Sequence, residues 1–138
     1  MNTVNMKTDI PQHKVTDLAI AVVPRVDKDD ELWDTYLINL KEVAIKSVLI
    51  SSKGYGSKDG EDIKTTTLRH FFEEIGPQRA VQIEPIQAKL FGITNEYWVS
   101  FVEQDYMYDK KYIFVIGSID TSNFTRIPLI DKKGVMIR

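Results

Sequence analysis

Segments such as Tyr97-Trp98-Val99-Ser100-Phe101-Val102 and Tyr108 to Ile116 repeat with a period of two, and polar turns separate them at short intervals. Only a β-strand points successive side chains to opposite faces, so this pattern predicts sheet structure in which one face of each segment is buried against a second layer. A chain of 138 residues with 43% hydrophobic content suits one such core, since a domain of this size buries roughly two thirds of the surface its unfolded chain exposes.

Reading from the start, residues 1–16 lack periodicity and predict a loosely held arm ahead of a single domain over residues 17–138. Leu18 to Val23 is a β-branched apolar run stopped by Pro24 and reads as the first strand. The acidic run Asp27 to Glu31 reads as a solvated turn, and Leu32 to Leu40 as a second strand, apolar enough on both faces for the middle of a sheet. Val43 to Ser52 makes a third strand. The breaker-rich stretch Ser51 to Asp62, with three glycines, is expected to be a long surface loop. Leu68 to Ile75 is read as a strand because of the preceding threonines and the Gly76-Pro77 turn, although its apolar residues also fit helical spacing.

Ala80 to Glu84 alternates until Pro85, with Val81 and Ile83 inward. Ile86 to Asn95 resembles a short helix ending at Gly92. Tyr97 to Glu103 and Tyr108 to Ile116, linked across Gln104-Asp105, form a hairpin with Tyr97, Val99 and Phe101 on one face and Trp98, Ser100 and Val102 on the other. Val135 to Ile137 adds a last strand. About seven strands joined by short loops imply an all-β, immunoglobulin-like antiparallel β-sandwich with at most one short helix.

Composition narrows the function classes. Eighteen basic and twenty acidic residues nearly cancel and are interspersed, so no nucleic-acid partner is expected. The absence of cysteine removes disulfides, thiolate nucleophiles and sulfur-ligated zinc. No apolar run reaches the length of a signal peptide or a membrane span, which predicts a cytoplasmic protein with no membrane association. The acidic runs Asp27 to Glu31 and Asp59 to Asp62 lack the ligand spacing of an EF-hand loop and read as solvated turns, and neither a metal nor a cofactor is expected.

Three stretches are candidates for a site. Lys53-Gly54-Tyr55-Gly56 has the glycines and lysine that let backbone amides approach a phosphate, but not the spacing of a P-loop; its structural alternative is turn geometry with Tyr55 packed at an edge. His70, beside Arg69 and near Glu73 and Glu74, can serve as a general base or half of a metal site, against the plainer role of a hydrogen-bonded strand histidine. No Ser-His-Asp set can be assigned from sequence, and His13 lies in the arm. The hairpin gathers Trp98, Tyr106, Tyr108 and Lys110 among further aromatics; alternation makes half of these core and leaves half for a surface contact.

The blocks Ser51 to Gly56, Leu68 to Ile75, Asn95 to Phe101 and Tyr108 to Phe114 resemble those of a family of short bacterial proteins of unknown function often labelled phenylalanyl-tRNA synthetase subunit-like, over most of residues 16–138. The label implies a synthetase-related accessory protein, and Arg69 beside Phe71-Phe72-Glu73 is similar to the arginine motif of class II synthetases, with a different order and spacing. From the residues themselves the expectation is a non-enzymatic module that binds a protein partner or forms a homo-oligomer, with the Lys53 to Asp62 loop and the 97–116 hairpin as contact regions. The alternative is a small-ligand or catalytic site joining Arg69 and His70 to the glycine-rich loop.

Overall fold

The computed structural model describes residues 14–25 and 31–138. Among these, ten strands form: β1 (Leu18–Pro24), β2 (Leu32–Asn39), β3 (Ile45–Lys58), β4 (Glu61–Lys64), β5 (Leu68–Ile75), β6 (Arg79–Gln87), β7 (Thr94–Glu103), β8 (Tyr106–Phe114), β9 (Thr125–Ile127) and β10 (Lys132–Ile137). One sheet has the order β6-β2-β1-β10-β9; the other runs β4-β3-β7-β8, with β5 also paired to β3. All pairings are antiparallel, and the two sheets pack into an all-β sandwich.

Its interior takes Leu18, Ile20, Val22 and Leu37 from the first sheet and Ile45, Val48, Ile50, Val99, Phe101, Tyr112 and Phe114 from the second. Each fully buried aliphatic or aromatic side chain contributes about 1.5–3 kcal/mol. Ala19, Ala21, Val23, Ile38 and Ile127 form a second buried cluster on the other face of the first sheet. That is why β1 is apolar on both faces and reads as a continuous run rather than an alternation. The Tyr112 hydroxyl donates to the Leu18 carbonyl at 2.8 Å and ties the sheets together.

Several expectations need correction. The segment Ser51 to Asp62 is not a loop: β3 continues to Lys58 and turns on Asp59-Gly60 into β4. Both turn residues have positive φ, 53° and 79°, the geometry whose twist matches that of flanking strands. The short helix expected over Ile86 to Asn95 is present only as a five-residue 3₁₀ helix, Ala88–Gly92, ending at the expected glycine; β6 extends to Gln87 before it and β7 begins at Thr94. Pro85 is tolerated inside β6 because β6 is an edge strand, so the missing N–H interrupts no ladder. Strands number ten rather than about seven, β4 and the three-residue β9 being the ones not anticipated, and a second 3₁₀ turn spans Thr121–Asn123. The 97–103 strand, its two-residue Gln104-Asp105 link and the inward set Tyr97, Val99 and Phe101 are as expected. Residues 1–13 of the expected arm, His13 included, and most of the acidic run Asp27 to Glu31 lie outside the described residues. Val15, assigned to that arm, is buried in the core.

Candidate functional site

Inward positions of β3 and β7 change character partway along. After Ile45, Val48 and Ile50, β3 presents Ser52 and Gly54; after Phe101 and Val99, β7 presents Tyr97 and Asn95. Polar side chains thus collect at one end of the interior, where β5 leaves β3 at the Ser52 and Leu68 pair and β4 joins it at Tyr55 and Lys64.

A β-bulge in β6 completes this end. Asp34 pairs with Pro85 and Tyr36 with Gln82, so Thr35 alone stands opposite both Ile83 and Glu84. Such an extra residue breaks the two-residue alternation and re-aims a side chain, here sending Glu84 inward. Thr35, fully buried, holds the bulge: its Oγ1 donates to the Glu84 carbonyl at 2.6 Å and accepts from the Glu84 amide at 3.1 Å. Both backbone groups of the bulged residue are satisfied by one threonine.

The Glu84 carboxylate, its side chain only 10% exposed, is the centre of the cluster. Ser52 Oγ lies 3.0 Å from Oε1 and 2.8 Å from Oε2. His70 Nε2 is 2.6 Å from Oε1 and, because an ionised carboxylate only accepts, Nε2 is the donor. A carboxylate this far from water needs such partners, since an unpaired buried charge costs several kcal/mol. Beneath it, burial pushes the Tyr97 hydroxyl well above the ordinary phenol range, the Glu84 charge adds to the rise, and a hydrogen bond with Thr35 opposes it. Tyr97 is therefore a neutral hydroxyl in the floor.

A cavity of about 180 Å³ opens beside the cluster, lined by the polar Ser52, Thr65, Thr66, Glu84, Gln87 and Asn95, by Gly54 and Tyr97, and by the apolar Leu68, Pro85, Ile86 and Leu90. Asn95 gives its amide nitrogen to the carbonyls of Leu90 (2.8 Å) and Ile93 (3.2 Å), which leaves its oxygen beside Gly54. A Cβ at Gly54 would stand 2.9 Å from Ile93 Cδ1 and 3.1 Å from Asn95 Oδ1, so glycine is needed there for close approach.

The sequence candidates divide. His70 belongs to the cluster, whereas Arg69 is exposed on the opposite face of β5. Gly54 lines the cavity, but the Lys53 ammonium lies on the outer face 5.9 Å from the Tyr55 ring centroid, and the Tyr55 hydroxyl donates to Glu96 at 3.2 Å. The Lys53 ammonium and the Tyr55 hydroxyl therefore lie away from the Glu84 cluster, although Lys53 also lines the cavity. In the hairpin, the Trp98 indole donates to Asp109 at 2.9 Å under the Lys111 ammonium, Tyr108 stacks on Phe101, Lys110 lies over Tyr112 and Tyr106 is exposed. None of these reaches the cluster.

Glu84, Ser52, Thr35, Tyr97 and Asn95 were not among the candidates. A glutamate directly before Pro85 was the available signal, because proline inside a strand marks an edge or a bulge. Serine and histidine both donate to the carboxylate, so the serine is not activated by the imidazole and the arrangement differs from a nucleophilic triad. Among the described residues no group of three or more His, Cys, Asp or Glu is placed to hold a metal ion, and no helix is long and apolar enough to cross a membrane. Comparison with protein-family models, with curated proteins and with solved structures gave no match.

Proposed function

We propose that the chain is a binding module whose interior cavity takes a small ligand with a hydrogen-bond-donating head, a primary ammonium above all, and a short aliphatic tail. The observation that carries this reading is the Glu84 carboxylate, fixed by a β-bulge against a cavity at the polar end of an otherwise apolar interior. Ligand sites combine an apolar wall with a few placed polar groups, and here the polar lining includes two acceptors, the Glu84 carboxylate, which carries the negative charge, and the Asn95 oxygen, beside Ser52, Lys53, Thr65, Thr66 and Gln87. The wall of Leu68, Pro85, Ile86 and Leu90 suits a few methylenes.

Titration with n-butylammonium, followed by backbone amide NMR shifts, tests it. Saturable shifts at Gly54, Glu84 and Asn95 are expected, with none from butyrate. Glu84→Gln keeps the shape and removes the charge, and should weaken binding by about tenfold or more, the effect of losing a charge-assisted hydrogen bond. Equal responses to both probes, or none to either, defeat the reading.

A second reading, a contact with a protein partner or another copy, is favoured by the outer face of the second sheet. Phe71 is 64% exposed there and pairs directly with Leu49, while Trp98 and Ile113 are also exposed. Apolar patches of this kind mark interaction sites. The synthetase-related accessory reading rests on the sequence resemblance, and ATP-dependent activation of phenylalanine is its test. An immunoglobulin-like classification of the sandwich and a cytoplasmic setting belong to the same set of proposals, the first supported by antiparallel two-layer architecture, the second by composition.

A further inference from the structure

Among the described residues β8 pairs with β7 alone and stands at the end of its sheet. A nine-residue edge strand offers a row of backbone donors and acceptors that another strand can complete. Which strand fits is decided by side chains directly opposite one another, because opposite charges and apolar pairs stabilise an antiparallel ladder and like charges weaken it.

The sequence of β8 is complementary to itself in one register. We propose that β8 pairs antiparallel with β8 of a second copy, with Lys110 opposite Lys110 on the twofold axis. Asp109 then faces Lys111 of the other copy, twice, and Met107 faces Ile113, twice. Met107 is 77% exposed and Ile113 41%, and both lie on the outer face with Asp109 and Lys111, since they pair with Val102, Glu96, Ser100 and Trp98 of β7. The neighbouring registers that keep the same faces together are worse. Centring on Asp109 opposes the two aspartates, and centring on Lys111 opposes the two lysines and sets Asp109 against Ile113.

The axial lysines do not collide. Each Lys110 ammonium lies 5.0 Å from the centroid of its own Tyr112 ring, two residues further along, and in an antiparallel pair those displacements run in opposite directions. Asp109 uses Oδ2 for the Trp98 indole, which leaves Oδ1 for the partner lysine. The resulting contact is isologous and closes at two copies, and it joins the two outer faces into one surface carrying Trp98, Ile113 and Met107. The cavity plays no part in it, so failure of ligand binding leaves it standing.

The chain has no cysteine, which makes a crosslinking test unambiguous. Opposed residues in an antiparallel ladder have Cα atoms about 4.5–5.5 Å apart, within disulfide range. Under mild oxidation Lys110→Cys should give a covalent dimer. Met107→Cys and Ile113→Cys should each crosslink poorly alone and efficiently when the two variants are mixed. In sedimentation experiments Asp109→Lys and Lys111→Asp should each raise the dimer dissociation constant by about tenfold or more, and the double exchange should restore it, because it recreates the opposite-charge pairs. Circular dichroism checks that each variant folds. A strict monomer at every concentration overturns the proposal, as does a dimer that crosslinks at other positions or gains nothing from the double exchange.

Discussion

Along β3 and β7 the inward side chains run from Ile45, Val48, Phe101 and Val99 at one end to Ser52, Gly54, Tyr97 and Asn95 at the other, so a single pair of strands builds both a packed core and a polar receptacle. At the apolar end these four side chains gain by leaving water. At the polar end Glu84, Ser52 and His70 gain nothing by burial and are held by hydrogen bonds to one another. Stability should therefore reside at the first end and, on the reading proposed above, ligand specificity at the second, which separate substitutions can test.

The largest effect is expected from Phe101→Ala. This fully buried ring stacks on Tyr108 with centroids 5.2 Å apart, and its loss should lower unfolding free energy by about 3–5 kcal/mol in urea titrations. Ser52→Ala, at the other end, should cost about 1.5–3 kcal/mol, the value of a hydrogen bond to a charged group. Equal costs would erase the distinction between the two ends.

Thr35→Val comes next. It keeps shape and removes the one hydroxyl that satisfies both backbone groups of Glu84. Leaving buried polar groups unpaired costs about 1–3 kcal/mol, and the Glu84 amide should lose hydrogen-exchange protection while β1 amides keep theirs. Retained protection at Glu84 would mean that the bulge does not depend on Thr35.

The smallest effect concerns alkaline pH and two tyrosines that pair across β7 and β8. Burial raises the hydroxyls of Tyr97 and Tyr112 well above their ordinary value. The unfolded chain therefore loses these protons first, near pH 10. Their contribution is complete below about pH 10 and declines as pH rises above it, toward their folded values. Urea midpoints between about pH 9 and 11 should fall less steeply in Tyr112→Phe than in the parent chain. Identical slopes would show that Tyr112 ionises as readily in the folded state as in the unfolded one.

How much of this was legible follows from which signals are local. The period of two in residues 97–103 places Tyr97, Val99 and Phe101 inward, and the structure agrees. Asp59-Gly60 is also a local signal, a two-residue hairpin turn, but the surrounding glycines read more strongly as loop and hid the continuation of β3. Glu84 is different in kind. Strict alternation from Val81 and Ile83 points it outward, and only the pairing of β6 with β2 reveals the extra residue that turns it in. A bulge is a property of two strands, so one strand's sequence cannot display it. The proximity of Ser52, His70 and Glu84 likewise depends on the edges of β5 and β6 meeting across the sheets.

The bulge in β6 also makes the chemistry of this interior a matter of phase. Losing the codon for Pro85 would set Ile83 alone opposite Thr35 and Glu84 opposite Asp34, which restores the plain pleat and turns the carboxylate to the other face with the strand order untouched, while regaining it would reinstall the acid. A lineage carrying this scaffold can thus gain or lose a buried acid in one genetic step.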